Sequence, residues 1–154
     1  MQNRETQPDR DVYIRMGAIC TCSNIRKAAR VITQLYDEIL HPSGLLATQA
    51  LLLTAIAAHG SVALTPLAER MAMDRTTLAR NLKPLERDGL VEIATGADRR
   101  TRVLRLTDRG QEALAKAIPL WEEAQAWVIN QLGEERWRAM LGDWAELVSL
   151  VRER

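Results

Sequence analysis

Thr76, Arg80, Lys83 and Arg87 follow one another at intervals of four, three and four residues. At 100° per residue this spacing stacks them within about 60° on one side of a helix, and it puts Leu78, Leu82 and Leu85 on the opposite side. Thr77 and Pro84 flank the polar row, Arg75 stands at its start, and Glu86 lies toward the leucine side. The row contains no acid. Residues of these types suit a polyanion better than covalent chemistry. Arg presents two N–H donors to guanine O6 and N7, and Thr offers a hydroxyl to base or phosphate and a methyl to thymine. Lys supplies a point charge for phosphate. A major groove about 12 Å wide admits one helix carrying such a face. Taken alone, the pattern is equally that of a solvated amphipathic helix.

The surroundings sharpen the reading. Asp74 is placed to cap the helix and Gly89 to close it, which predicts a helix over 75–87. A shorter helix should precede it. Thr65-Pro66 offers a hydroxyl cap and a proline at the first helical position, Leu67, Ala68 and Met71 give an inner face, and Met73-Asp74 forms the corner. Two helices in such close succession have helix-turn-helix spacing, with Thr65 as a further hydroxyl toward the duplex. Downstream, 90–95 and 102–107 are strand candidates joined by the loop 96–101. Arg99, Arg100, Arg102 and Arg105 crowd this hairpin, and Asp98 alone offsets them locally. A basic hairpin beside a groove helix is suited to insert Arg into a narrow minor groove.

The run Asp74-Arg75-Thr76-Thr77-Leu78-Ala79-Arg80-Asn81-Leu82-Lys83-Pro84-Leu85-Glu86-Arg87-Asp88-Gly89-Leu90-Val91 resembles the groove helix of the MarR (multiple antibiotic resistance regulator) family. So does Asp98-Arg99-Arg100-Thr101-Arg102-Val103-Leu104-Arg105-Leu106-Thr107-Asp108-Arg109-Gly110, with an Asp-x-Arg tip and a Leu-Thr-x-x-Gly exit. The resemblance covers roughly 18–152. It implies a mainly α, dimeric winged helix-turn-helix fold with about six helices and a small two- to three-stranded antiparallel wing. It further implies a sequence-specific transcription regulator, usually a repressor, bound as a homodimer to a roughly palindromic double-stranded DNA operator. Members release DNA when a small phenolic or lipophilic ligand, or an oxidant, acts on the body of the dimer. By family position Asp98 orients the wing and Arg100 enters the minor groove. The competing class is a winged helix used for protein–protein contact without DNA.

The rest of the chain must position these parts. Residues 1–16 read as a polar, poorly ordered arm. Ala18, Cys22, Ile25, Ala29, Ile32, Tyr36 and Ile39 step by four and three, one face of a long helix ended by His41-Pro42-Ser43-Gly44. A helix over 48–59 is apolar nearly all round and should be buried on most sides. From Asp108 the chain is helical, with an expected kink at Pro119 and a break at Gly133. Trp121, Trp127, Trp137 and Trp144 all fall in this region. The organisation expected is 1–60 for an arm and dimerisation or core helices, 61–110 for DNA reading, and 111–154 for dimerisation.

Composition is that of a globular protein, with 47% apolar and 27% charged residues and no Phe. Net charge is only +1, but 65–109 carries ten cations against seven acids. No membrane segment is expected, because the apolar stretch 45–58 is too short to span a bilayer. Two cysteines make no disulfide framework, so a cytoplasmic setting is expected. Cys22 lies on the apolar stripe and reads first as a small core residue, with Cys22 and Cys20 as candidate oxidant sensors. On one helix the two would lie about 200° apart, a poor geometry for a bridge between them. No metal, cofactor or catalysis is expected. Cys20, Cys22, His41 and His59 match no zinc spacing, and no phosphate loop or nucleophile motif is present.

Overall fold

The computed structural model describes residues 9–98 and 101–154. It divides into two compact units, Met1–Leu35 and Tyr36–Arg154. The described residues form seven α-helices and three strands, so the helix count exceeds the expected six by one.

The additional helix lies in the first unit. Helix α1 (Arg10–Ile19) occupies much of the stretch read as an arm, and α2 (Thr21–Leu40) follows after a single extended residue. That residue is Cys20, with φ −65° and ψ 112°. Both backbone groups of Cys20 are hydrogen-bonded at the break. Cys20 N–H donates to the Met16 carbonyl at 3.0 Å, and its carbonyl accepts from Asn24 N–H at 3.0 Å. The Asn24 side-chain amide donates to the Ala18 and Cys20 carbonyls, each at 3.0 Å. The expected single helix through both cysteines is therefore corrected. The unit exposes Tyr13, Ile14, Met16, Ile19, Ile25, Val31 and Ile32.

The second unit holds the core. After the end of α2 and a 3-10 turn at His41–Ser43, α3 (Ala47–Ala57) begins with its first N–H groups satisfied. Ala47 N–H donates to Asp37 Oδ1 at 2.7 Å, and Leu46 N–H to Gln49 Oε1 at 2.9 Å. Ala50, Leu52, Leu53 and Ile56 are buried, but Leu51 is 55% exposed, so α3 is less enclosed than its composition suggests. Strand β1 (Val62–Ala63) leads into α4 (Leu64–Arg70), and α5 (Arg75–Arg87) follows. Helix α4 starts at Leu64 with Ala63 in the cap position and no side-chain cap, which corrects the Thr65-Pro66 start. Pro66 remains tolerable because N–H groups in a first turn have no intrahelical partner.

Strands β2 (Val91–Thr95) and β3 (Arg102–Leu106) form the hairpin, and β1 adds to its far side in the order β1-β3-β2. Both pairings are antiparallel, with Val62 and Ile93 opposite Leu104 from its two sides. Leu104 is fully buried and its neighbour Arg105 is exposed, as alternation requires, whereas Arg102 shares the Leu104 face and is exposed because it stands at the loop end of the strand. Helix α6 (Asp108–Leu132) runs through Pro119 as one element, and α7 (Glu134–Arg152) follows after Gly133.

The joint between α5, the hairpin and α6 is built from very few residues. Gly89, at φ +69°, turns the chain after α5. Leu90 N–H reaches back to the Leu85 carbonyl at 2.8 Å, and Gly89 N–H to Glu86 at 3.0 Å, a Schellman stop. Thr107 then ties both sides together. Its hydroxyl donates to the Gly89 carbonyl at 2.6 Å and accepts from Gly110 N–H at 3.0 Å, and its own N–H donates to Leu90 at 3.2 Å. A Cβ on Gly110 would stand 2.0 Å from the Leu90 carbonyl oxygen. The Leu-Thr-x-x-Gly exit is thus a packing requirement: only a hydrogen fits where α6 crosses Leu90.

Gly110→Ala is expected to cost about 1–3 kcal/mol, because the collision is with backbone. Urea unfolding reads the loss as a lower midpoint, and an unchanged midpoint would contradict the close approach.

Candidate nucleic-acid interface

Leu78, Leu82 and Leu85 are each 0% exposed. Burying each contributes about 1.5–3 kcal/mol, enough together to set the rotation of α5 about its axis. The helix packs on α3, α4 and β2 through that side. The opposite side therefore faces outward, and Thr76, Arg80, Lys83 and Arg87 are all exposed there, while Arg75 is exposed as the first residue of the helix. The expected face exists as one surface on one rigid element.

Its N-terminal end is held by Asp74. Asp74 Oδ1 accepts from Thr77 N–H at 2.8 Å, and Oδ2 accepts from the Thr77 hydroxyl at 2.6 Å. The hydroxyl bond first, and the backbone bond second, hold the Asp74 carboxyl below its usual pKa. Thr77 is half-buried and its hydroxyl hydrogen is engaged in this cap, which leaves only its oxygen lone pairs to a ligand. At the other end Arg87 Nε lies 3.0 Å from Asp88 Oδ1, and this partner raises the guanidinium pKa. Arg80 and Lys83 make neither of the two ion pairs found among the described residues. A proline within the last turns is the helix's one unfavourable residue, costing about 3 kcal/mol in a helix interior.

Thr65 is exposed on α4. On the hairpin, Arg102 is exposed opposite Thr95, and Arg105 is exposed opposite Glu92, which offsets its charge. The loop is closed by Thr101, whose N–H and hydroxyl donate to the Asp98 carbonyl at 2.8 and 2.7 Å. Arg99 and Arg100 lie outside the described residues. Cys20 and Cys22 are free thiols and both exposed, so Cys22 is not a core residue of the single chain. No group of three His, Cys, Asp or Glu side chains among the described residues is arranged to hold a metal. No single described helix is long and apolar enough to cross a membrane.

Two long-range polar contacts had no signal in the sequence. The Tyr36 hydroxyl donates to Gln125 Oε1 at 2.8 Å across 89 residues, and burial raises the Tyr36 pKa. Arg152 donates to the Glu69 carbonyl, joining the end of α7 to the last turn of α4. A cavity of about 330 Å³ opens among Ala57, Gly60, Leu106, Gln111, Leu114 and Ile118.

Two short helices with an outward cationic second helix, followed by an antiparallel hairpin and flanked by long helices, define a winged helix-turn-helix protein. Comparison with known proteins agrees. The MarR family model matches residues 43–101. The M. tuberculosis transcriptional regulator MosR, in complex with DNA, is 41% identical with a TM-score of 0.81, over 87% of this chain and 97% of that one. A second MosR structure is 38% identical with a TM-score of 0.77, over 90% and 99%. A mutant MarR from E. coli, complexed with operator DNA, shares the fold at 19% identity and a TM-score of 0.77, over 86% and 96%. No curated protein sequence matches. The chain belongs to the MarR family.

Asp74 has a depressed pKa, so its charged cap stabilises above the unfolded carboxylate value and is lost as pH falls through the lower folded value. Asp74→Ala should lower Tm at neutral pH. Asp74→Asn should recover most of the loss, because it keeps an acceptor, and should flatten the acid limb of Tm against pH. Equal Tm for the parent and Asp74→Ala would remove the cap's role.

Proposed function

We propose that this MarR-family chain is a sequence-specific DNA-binding transcription regulator that represses from a roughly palindromic operator. The observation that carries the reading is the acid-free outward row of Thr76, Arg80, Lys83 and Arg87 on a helix pinned by three fully buried leucines. The DNA complexes of MosR and of the E. coli protein support it. In this reading 61–110 is the DNA-reading region, α5 enters the major groove, and Arg99, Arg100 and Arg102 serve the minor groove under the orientation of Asp98. Thr65 and Arg75 contribute phosphate contacts, and Thr77, whose hydrogens Asp74 holds, offers its methyl and its hydroxyl oxygen to base edges. The protein acts in the cytoplasm, as a regulator and not an enzyme.

The working unit is a homodimer. Trp121, Trp127, Leu141, Trp144, Val148 and Val151 are exposed in the single chain, and α7 buries no residue. Apolar area of this extent calls for a partner surface, and a second copy supplies one of matching character. Two α5 helices about 34 Å apart then meet successive major-groove faces. The open, mostly apolar cavity beside Ile118 is the place proposed for a small phenolic or lipophilic effector. Such a ligand acts by binding one spacing of the two helices better than another.

An oxidant is the second effector proposed. Cys20 and Cys22 flank the start of α2 as free, exposed thiols. Peroxide would take two electrons from a pair of thiols to form a disulfide and be reduced to water. Cys22→Ser should abolish a reversible peroxide-dependent loss of DNA binding, and an unchanged response would remove Cys22 as sensor.

A duplex selected from a random pool, titrated by fluorescence anisotropy across salt concentrations, tests the DNA reading. Affinity should fall steeply with salt, and Lys83→Ala should reduce the slope by about 1, the share of a single neutralised phosphate. Arg80→Ala should cost about 1–3 kcal/mol and relax base preference at one position. Salt-insensitive or absent binding would favour a protein-contact module instead.

A further inference from the structure

Pro84 stands one turn beyond Arg80 on α5, about 40° round the helix, at the margin of the outward row. Proline has no N–H, so the α-helical hydrogen bond that would close on the Arg80 carbonyl does not exist. The helix is not ended by this loss. It continues to Arg87, and the Pro84 carbonyl accepts from Asp88 N–H at 2.9 Å. Leu82 and Leu85, both 0% exposed on either side of Pro84, keep this turn seated on the core. The Arg80 carbonyl is therefore a backbone acceptor without its i+4 helical donor, in a turn where the Arg80 and Lys83 side chains are exposed and Pro84 is half-buried. Carbonyls on the solvent side of a helix tilt outward, and a missing bond frees the tilt further.

The chemistry of the row gives this oxygen a use. Arg80, Lys83 and Arg87 carry only donors, and the side-chain acceptors of the row, the Thr76 hydroxyl and the Thr77 oxygen whose hydrogen Asp74 engages, both lie in the first turn, away from the middle of the helix. Donors read guanine O6 and N7 and thymine O4. The exocyclic amines of adenine and cytosine, N6 and N4, need an acceptor. We propose that the Arg80 carbonyl, left open by Pro84, reads an exocyclic amino group in the major groove, directly or through one water, and that Pro84 is thereby a specificity-determining positioning residue. The inference rests on the DNA-binding reading above and deepens it.

The test compares three proteins on the selected duplex and on duplexes in which the amine is deleted one base at a time, purine replacing adenine or pyrimidin-2-one replacing cytosine. The parent should lose about three- to tenfold in affinity at one such position in each half-site, the worth of a single hydrogen bond. Pro84→Ala restores an N–H that closes on the Arg80 carbonyl. It should raise Tm, bind the parent duplex more weakly, and bind the parent and amine-deleted duplexes alike. Arg80→Ala removes the guanidinium but keeps the carbonyl. It should weaken binding overall while retaining the ratio between the two duplexes. A Pro84→Ala protein that keeps the parent's ratio overturns the proposal, as does a parent that shows no amine dependence at any position. A parent that binds no duplex in a salt-dependent way fails at the earlier step, and that result is read from the parent alone.

Discussion

The burial of Leu78, Leu82 and Leu85 is the interaction on which the remainder depends. These three side chains determine which side of α5 is inside, and so which side is left to water. A rotation of about 100°, one residue's worth, would drive the cationic row toward the core, where unpaired charges cannot be accommodated. The same contacts fix α5 against α3, α4 and β2. The face is thus presented by a helix anchored through three fully buried leucines and not by a loop.

The second constraint is the joint at Gly89, Leu90, Thr107 and Gly110. One threonine hydroxyl serves two elements, donating to the end of α5 and capping the start of α6. The hairpin leaves and returns through this joint, so its root is held although its tip projects. The absence of a side chain at Gly110 lets α6 approach the Leu90 backbone. The long helix is therefore in direct backbone contact with the root of the hairpin. The Arg152 contact to the Glu69 carbonyl makes a comparable connection between α7 and α4. Long helices that carry exposed Trp, Leu and Val are in this way mechanically joined to the element that carries the cations.

Much of the second unit was legible before folding. The limits of α5 coincide with the expected 75–87, because Asp74 and Gly89 are strong local signals and the leucine period is unambiguous. The strands fall within one residue of expectation for the same reason: alternation about Leu104 is local. Other readings failed where the deciding interaction was distant or had no residue-type marker. Cys20 interrupts the N-terminal helix without a Pro or Gly, its carbonyl and that of Ala18 being satisfied by the Asn24 amide. Helix α4 starts before its hydroxyl and proline, and α3 leaves Leu51 outside although its composition is that of a buried helix.

Sequence alone determined the period of the leucines, the position of the cations opposite them, the cap and stop of α5, and the order helix, corner, helix, hairpin, because each is settled by neighbours a few residues apart. Tertiary structure decided which side of each helix meets the core, why a glycine must stand at 110, and which apolar residues remain uncovered. Those depend on contacts between segments far apart in the chain, where burial and excluded volume act on whole elements and leave little trace in any short stretch of residues.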